Sequence, residues 1–302
     1  MDLTTLDRRT IATINPAMAY SQEFLSNLIG KPITRSLWQQ IIDFLFGIAR
    51  PASEQVAYNA RAFYDVERAR VFPEAPRHDI LLSVLSYEIF ARDMNDIRGV
   101  AIGAEITQEV IHRINLRMAR SIENSGRWTI MNAIQTPDPW LEEYDEFSWI
   151  PDEDQGEFTS STISKEELKK LRKDLKRRGR GIQGWARVPT GRETCAFCLA
   201  LCSRGAVYRD ARRAGSKMSD DETLKVQRSG LFDPEEHMTQ WHDGCDCKVV
   251  PVWDLDDWQG KQRADAAYRM WSTATKNTQG KESMREFRRR LESGDLDIND
   301  FM

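Results

Sequence analysis

No part of this 302-residue chain approaches the roughly 20 consecutive apolar residues that a membrane-spanning helix needs. The densest apolar stretch, Ile41 to Phe46, is broken by Asp43. The beginning, Met1-Asp2-Leu3-Thr4-Thr5, has no basic patch leading into an apolar segment, so no secretory signal is read and folding in a cytoplasm is expected. Neither sign of charge dominates: the net charge is −4, which is no global signature of nucleic-acid binding. There is no Gly-x-Ser-x-Gly, no Walker loop and no dinucleotide fingerprint. A His-Glu-x-x-His helix is also missing, as is the His-x-Glu that precedes Pro-Cys-x-x-Cys in zinc deaminases. These absences remove the enzyme classes that write their chemistry into a short local motif. Ser–His pairs have no local spacing and leave no such mark.

Cysteine and histidine are scarce, five and four residues respectively, but they are unevenly placed. All five cysteines fall between Cys195 and Cys247, within a stretch that ends at Trp253. It opens with Cys195-Ala196-Phe197-Cys198 and closes with Trp241-His242-Asp243-Gly244-Cys245-Asp246-Cys247. In a reducing compartment, tight cysteine pairs read as metal-binding before they read as disulfides. A CxxC at a turn places two thiolates on one side of a tetrahedron, and His242-x-x-Cys245-x-Cys247 can supply the other two ligands. The loop of about 45 residues between the half-sites is tolerable, because closure entropy grows only logarithmically with length. The preferred set is Cys195, Cys198, His242 and Cys247, with Cys245 able to replace either of the last two. Cys202 would share a helical face with Cys198, but it is a fifth thiol for a four-coordinate ion, and is read as a small buried residue at a helix start. His237 lies in a loop-like stretch, and His78 and His112 lie in helical contexts far away, so none of the three is read as a ligand. With no open position and no general base, the ion is expected to be a structural Zn2+.

The whole chain is 40% hydrophobic and 30% charged, and is long enough for one or two domains. Residues 1–135 form a helical domain. Apolar residues recur at helical spacing over 21–28 and 35–48, Pro51 interrupts, and Ser53 caps the next segment. A helix is expected over 80–94. Another starts at Thr107 and carries Val110, Ile111, Ile114, Met118 and Ile122, with a break or kink at Gly126. Residues 136–183 are a charged linker and basic helix: acidic through 138–157, basic from Lys165 to Arg180. Residues 184–254 are the Cys/His module, flanked by strand-like Trp185–Val188 and Val249–Trp253. Residues 255–302 hold two helices and an acidic tail from Asp295. The fold class is therefore α+β, mostly α: an N-terminal helical arm or bundle, a small zinc-stapled α+β module, and C-terminal helices.

Four segments together resemble the MuF-like minor head proteins of tailed phages and prophages, especially those of actinobacteria. They are Gly184 to Gly191, Glu193 to Cys198, Ser203 to Tyr208 and Trp241 to Trp253, set within a span of about 70 residues. Weaker similarity reaches Ala60 to Asp65 and Gly126 to Ile130. The resemblance implies a minor capsid protein of the virion acting in head morphogenesis, associated with the portal protein and with major capsid or scaffold proteins. It places the chain in the capsid interior or at the portal vertex, and in the host bacterial cytoplasm during assembly. Contact with packaged DNA through Lys165–Arg180 fits that setting, and no membrane partner is implied. Some members carry the label of capsid maturation protease. That activity, or another zinc-dependent hydrolysis, is the alternative, although no protease constellation is seen. Two features depart from the family pattern: Cys202 stands where a small residue is expected, and the connection over 138–180 is enlarged.

Overall fold

The computed structural model describes residues 1–136, 138, 140, 183–191, 194–206, 247–278 and 281–302. The acidic stretch beyond Trp140, the basic helix expected from Lys165 to Arg180, and the segment holding His237, His242 and Cys245 lie outside the described residues.

Helix α1 (Leu3–Ser26) starts at Asp2, whose carboxylate accepts the Thr5 N–H at 2.7 Å. Helix α2 (Arg35–Val71) starts at Thr34, whose hydroxyl accepts the Leu37 N–H at 3.1 Å. The expected interruption at Pro51 does not occur: proline sits inside a continuous 37-residue helix. An interior proline forfeits the bond to the carbonyl four residues back and costs about 3 kcal/mol. Burial on both sides of it offsets that cost. Ile41, Ile42 and Leu45 before it, and Val56, Ala57 and Ala60 after it, are all buried. Ser53 is therefore no cap. Its hydroxyl donates to the Arg50 carbonyl at 2.7 Å and accepts the Leu85 N–H at 3.2 Å.

The single helix expected over 80–94 is instead an irregular segment followed by α3 (Tyr87–Asp93) and α4 (Asn95–Ala101). The reason lies in where the backbone donors go. Ser83 N–H reaches the Thr129 hydroxyl and Leu85 N–H reaches Ser53, so neither enters a helix ladder. Helix α5 (Gln108–Gln135), capped by Thr107, runs unbroken through Gly126. There the missing side chain serves packing between helices. A Cβ at Gly126 would stand 2.9 Å from Val56 Cγ1 and 3.4 Å from Ala60 Cβ, both on α2. Glycine lets α5 approach α2 closely at this crossing.

The two strand-like flanks pair as expected. Strands β1 (Gly184–Val188) and β2 (Lys248–Val252) are antiparallel, with Gly184 opposite Val252 and Val188 opposite Lys248. Every residue of both strands is buried. Such a ribbon needs cover on both faces, and its neighbours supply it. β2 packs on α5, while β1 packs on α6 (Ala196–Cys202) and α7 (Lys261–Thr275). Helix α8 (Lys281–Glu292) lies against α6 and α7. The last residues are no free acidic tail. Leu296 is buried, a short 3-10 turn (Ile298–Phe301) follows, and Arg269 Nε donates to the Phe301 carbonyl at 3.1 Å.

One apolar core joins parts distant in sequence: Leu3 and Leu6 of α1, Phe63 of α2, Ile130 of α5, Trp185, Leu199, Val249, Met270 and Phe287. A second, built from Leu25, Ile41, Leu45, Phe90, Met118 and Ile122, holds the N-terminal helices together. The described chain is thus mostly helical around a two-stranded sheet.

Candidate metal centre

The cysteine residues take their places from β1, α6 and the entry to β2. Cys195 is the N-cap of α6 and is exposed; its sulfur accepts the Cys198 N–H at 3.4 Å. Cys198 is fully buried one turn into the helix. Cys202, its last residue, is fully buried as well, so the expected burial is seen but at the end of the helix and not its start. Cys247 is fully buried immediately before β2. Its sulfur lies 3.7 Å from that of Cys202, across 45 residues of chain. The four described cysteines are thiols, not disulfides.

Of the sequence-derived ligands, Cys195, Cys198 and Cys247 therefore belong to one region of the fold. His242 and Cys245 fall outside the described residues. Among the described residues, no three Cys, His, Asp or Glu side chains converge as metal ligands.

The surroundings are more cationic than the local sequence suggested. Arg187 of β1 is fully buried and its Nη2 donates to the Cys198 sulfur at 3.9 Å. Arg127 of α5, also buried, donates from Nη2 to the Cys247 carbonyl at 3.2 Å and pairs with Glu123 at 3.0 Å. Lys248, the next residue after Cys247, pairs with Glu123 and with Asp7 at 3.1 Å. Thr190 donates to the same Asp7 carboxylate at 2.9 Å. Burial pulls the Lys248 ammonium down, but Glu123 and then Asp7 outweigh burial and the nearby Arg127, so its pKa ends above the usual lysine value. Lys248 and Arg127 are matched by Asp7 and Glu123, whereas Arg187 is the cation that faces a cysteine sulfur. The donor chemistry fits zinc, which takes soft thiolate ligands in closed sites.

Sequence reasoning missed Arg187, Arg127 and Lys248, because each reaches the cysteines across the fold and not along the chain. It set Cys202 aside on ligand count and expected it to be buried, and it is buried. His78 is buried in the irregular segment, not in a helix, with Nδ1 2.9 Å from the Tyr64 hydroxyl. His112 is exposed on α5. A polar depression of about 240 Å³ is lined by Tyr58, Arg61, Arg77, His78 and Asp79. Arg61 and Arg77 there both pair with Asp65 at 2.9 Å. No helix among the described residues is long and apolar enough to cross a membrane.

This is a mostly helical chain whose small sheet and surrounding helices gather thiols and buried cations, and its relatives are phage proteins. Residues 153–274 match the model of the VG15 protein family, a span that contains both strands and every cysteine. The chain is 29% identical over 303 residues to the Gene 15 protein of Mycobacterium phage D29, covering 93% of this chain and 96% of that one. It is 28% identical over 323 residues to the Gene 15 protein of Mycobacterium phage L5, covering 96% and 95%. No solved structure matches. Similarity along nearly the whole length of two mycobacteriophage gene products supports a phage protein.

Proposed function

We propose that this chain is a MuF-like minor head protein that acts in phage head morphogenesis by binding other head components, not by catalysis. The observation that carries the reading is that two similarities fall on one region. The segments resembling MuF-like proteins, from Gly184 to Trp253, lie inside the residues that match a phage family model, 153–274. In this reading the region is a structural unit closed by one zinc ion. Cys195, Cys198 and Cys247 hold it together with His242 or Cys245. Zinc would supply cross-linking across 45 or more residues of chain and no reactive water, with Arg187 facing the Cys198 sulfur and Arg127 holding the Cys247 carbonyl.

The working partners are the portal protein and the major capsid or scaffold proteins, inside the head or at the portal vertex. The basic stretch from Lys165 to Arg180 is the proposed contact to packaged DNA. Co-expression with the portal and major capsid genes of the same phage tests the assembly role. The chain should co-sediment with procapsids and should leave the capsid protein uncleaved. Quantitative recovery in the unassembled fraction contradicts the role, and capsid processing that depends on this chain would favour the protease alternative.

A further inference from the structure

We infer that residues 80–85 form an open strand edge on which a second copy of this chain docks, the two segments pairing antiparallel about a two-fold axis at Ser83. Ile80-Leu81-Leu82-Ser83-Val84-Leu85 is apolar at every position but one, yet it belongs to no helix or sheet. Side chains hold it in place. Arg61 donates to the Ile80 carbonyl at 3.1 Å, the Thr129 hydroxyl accepts the Ser83 N–H at 3.0 Å, and the Ser53 hydroxyl accepts the Leu85 N–H at 3.2 Å. Arg61 and Ser53 stand about 12 Å apart along α2, so the chain between Ile80 and Leu85 is drawn out beside that helix. Ser86, which follows, has extended backbone.

In a drawn-out chain, successive backbone groups alternate in direction. The Ser83 and Leu85 N–H groups point inward, so the backbone groups of Leu82 and Val84 face outward. Among the described residues, no hydrogen bond engages the backbone of Leu81, Leu82 or Val84. Leu81 is 81% exposed, more than any other large apolar side chain among the described residues. An unpaired apolar edge of this kind is a template for strand addition, and its row of donors and acceptors fits another polypeptide backbone.

Two features select a second copy as the occupant. Pairing centred on Ser83 lets Leu82 of each copy exchange both backbone hydrogen bonds with Val84 of the other, and these are the open groups. The ends of the segment also carry opposite charges. Arg77 precedes it and Glu88 follows it, and both are exposed. The Arg77 Nε pairs with Asp65 at 2.9 Å, while its terminal nitrogens have no partner among the described residues. Antiparallel pairing brings the Arg77 end of each copy to the Glu88 end of the other, so opposite charges meet at both ends of the contact.

The test uses the full chain. Light scattering across the micromolar range should show a dimer. Benzoylphenylalanine in place of the exposed Leu81, photolysed in a mixture of unlabelled and nitrogen-15 chains, should crosslink differently labelled chains at residues 80–88. Leu81→Lys should weaken the dimer roughly 10- to 100-fold, since each copy loses the burial of a leucine. Arg77→Glu and Glu88→Arg should each weaken it as well, and mixing the two variants should restore it as a heterodimer. A purely structural role for either residue would not give that rescue. A chain that stays monomeric, a dimer whose crosslinks from position 81 fall elsewhere, or crosslinks from position 81 only to another head protein on co-expression would overturn the inference.

Discussion

Arg127 and Cys247 are 120 residues apart, yet the guanidinium of one donates to the carbonyl of the other at 3.2 Å. This hydrogen bond ties α5, an N-terminal helix, to the point where the chain enters β2. The same side chain pairs with Glu123, which also holds Lys248. Replacing Arg127 with Met should therefore act in two ways. Breaking a buried pair and leaving its partners unmatched costs about 3–5 kcal/mol. Loosening the backbone at Cys247 should also weaken zinc binding about 10- to 100-fold. Chemical denaturation and a zinc competition titration measure the two effects separately. Lost stability with unchanged zinc affinity would confine Arg127 to packing.

Gly126 sits where α5 crosses close to α2. Gly126→Ala places a methyl 2.9 Å from Val56 Cγ1 and should destabilise the fold by about 1–3 kcal/mol, as overpacking does. Gly99, in α4, is the contrast: a Cβ there would meet nothing within 4 Å. Gly99→Ala should stabilise by about 0.4–1 kcal/mol, through a less flexible unfolded chain. Paired denaturation curves check the opposite signs.

Glu67 makes stability depend on pH. Burial raises its carboxyl above the ordinary range, against the pull of Gln259 and Arg70. Its Oε1 accepts from Gln259, whose own Oε1 accepts the Leu3 N–H at the start of α1. The folded state therefore holds this proton to higher pH than the unfolded state does. The contribution is unfavourable in full above the folded pKa and disappears as pH falls below the ordinary carboxylate value. Glu67→Gln should raise the melting temperature at neutral pH, and the gain should shrink in acid. A gain independent of pH would contradict the assignment.

Zinc removal should unfold the Cys/His region. One zinc per chain is expected by elemental analysis, with chelation lowering the melting temperature and abolishing β1–β2 pairing. Protein purified without metal yet with the same melting temperature would remove the staple from the account.

The basic stretch makes a separate prediction. If it binds DNA, changing Lys169, Lys170, Arg172 and Lys173 to Ala should weaken duplex binding. The slope of log affinity against log salt should become shallower by about 0.9 for each phosphate no longer neutralised. Binding that does not respond to salt would rule the DNA interaction out.

How much of this was legible in the sequence differs by scale. The strands were, because Trp185–Val188 and Val249–Trp253 flank the cysteine motif with short apolar, β-favouring runs, and they pair in the structure. The amphipathic helices were legible too, from Ile41 and Leu45 in α2 and from Ile111 to Ile122 in α5. Punctuation misled: Pro51 and Gly126 are helix breakers by local propensity, and tertiary packing overrode both. The tail from Asp295 read as acidic because Leu296, Ile298 and Phe301, which pack on the core, are interspersed with Asp295, Asp297 and Asp300. At the candidate metal centre, the motif spacing singled out Cys195, Cys198 and Cys247, which fall in one region of the fold. It said nothing of Arg187, Arg127 or the Cys202–Cys247 pair, since those meet only when β1, α5 and α6 pack.

Quantitative mass spectrometry of purified virions from the phage that encodes this chain tests its place in the head most directly. The chain is expected in intact heads at a fixed low copy number relative to the major capsid protein. Its absence from both virions and procapsids, with the protein abundant in the infected-cell lysate, would contradict it.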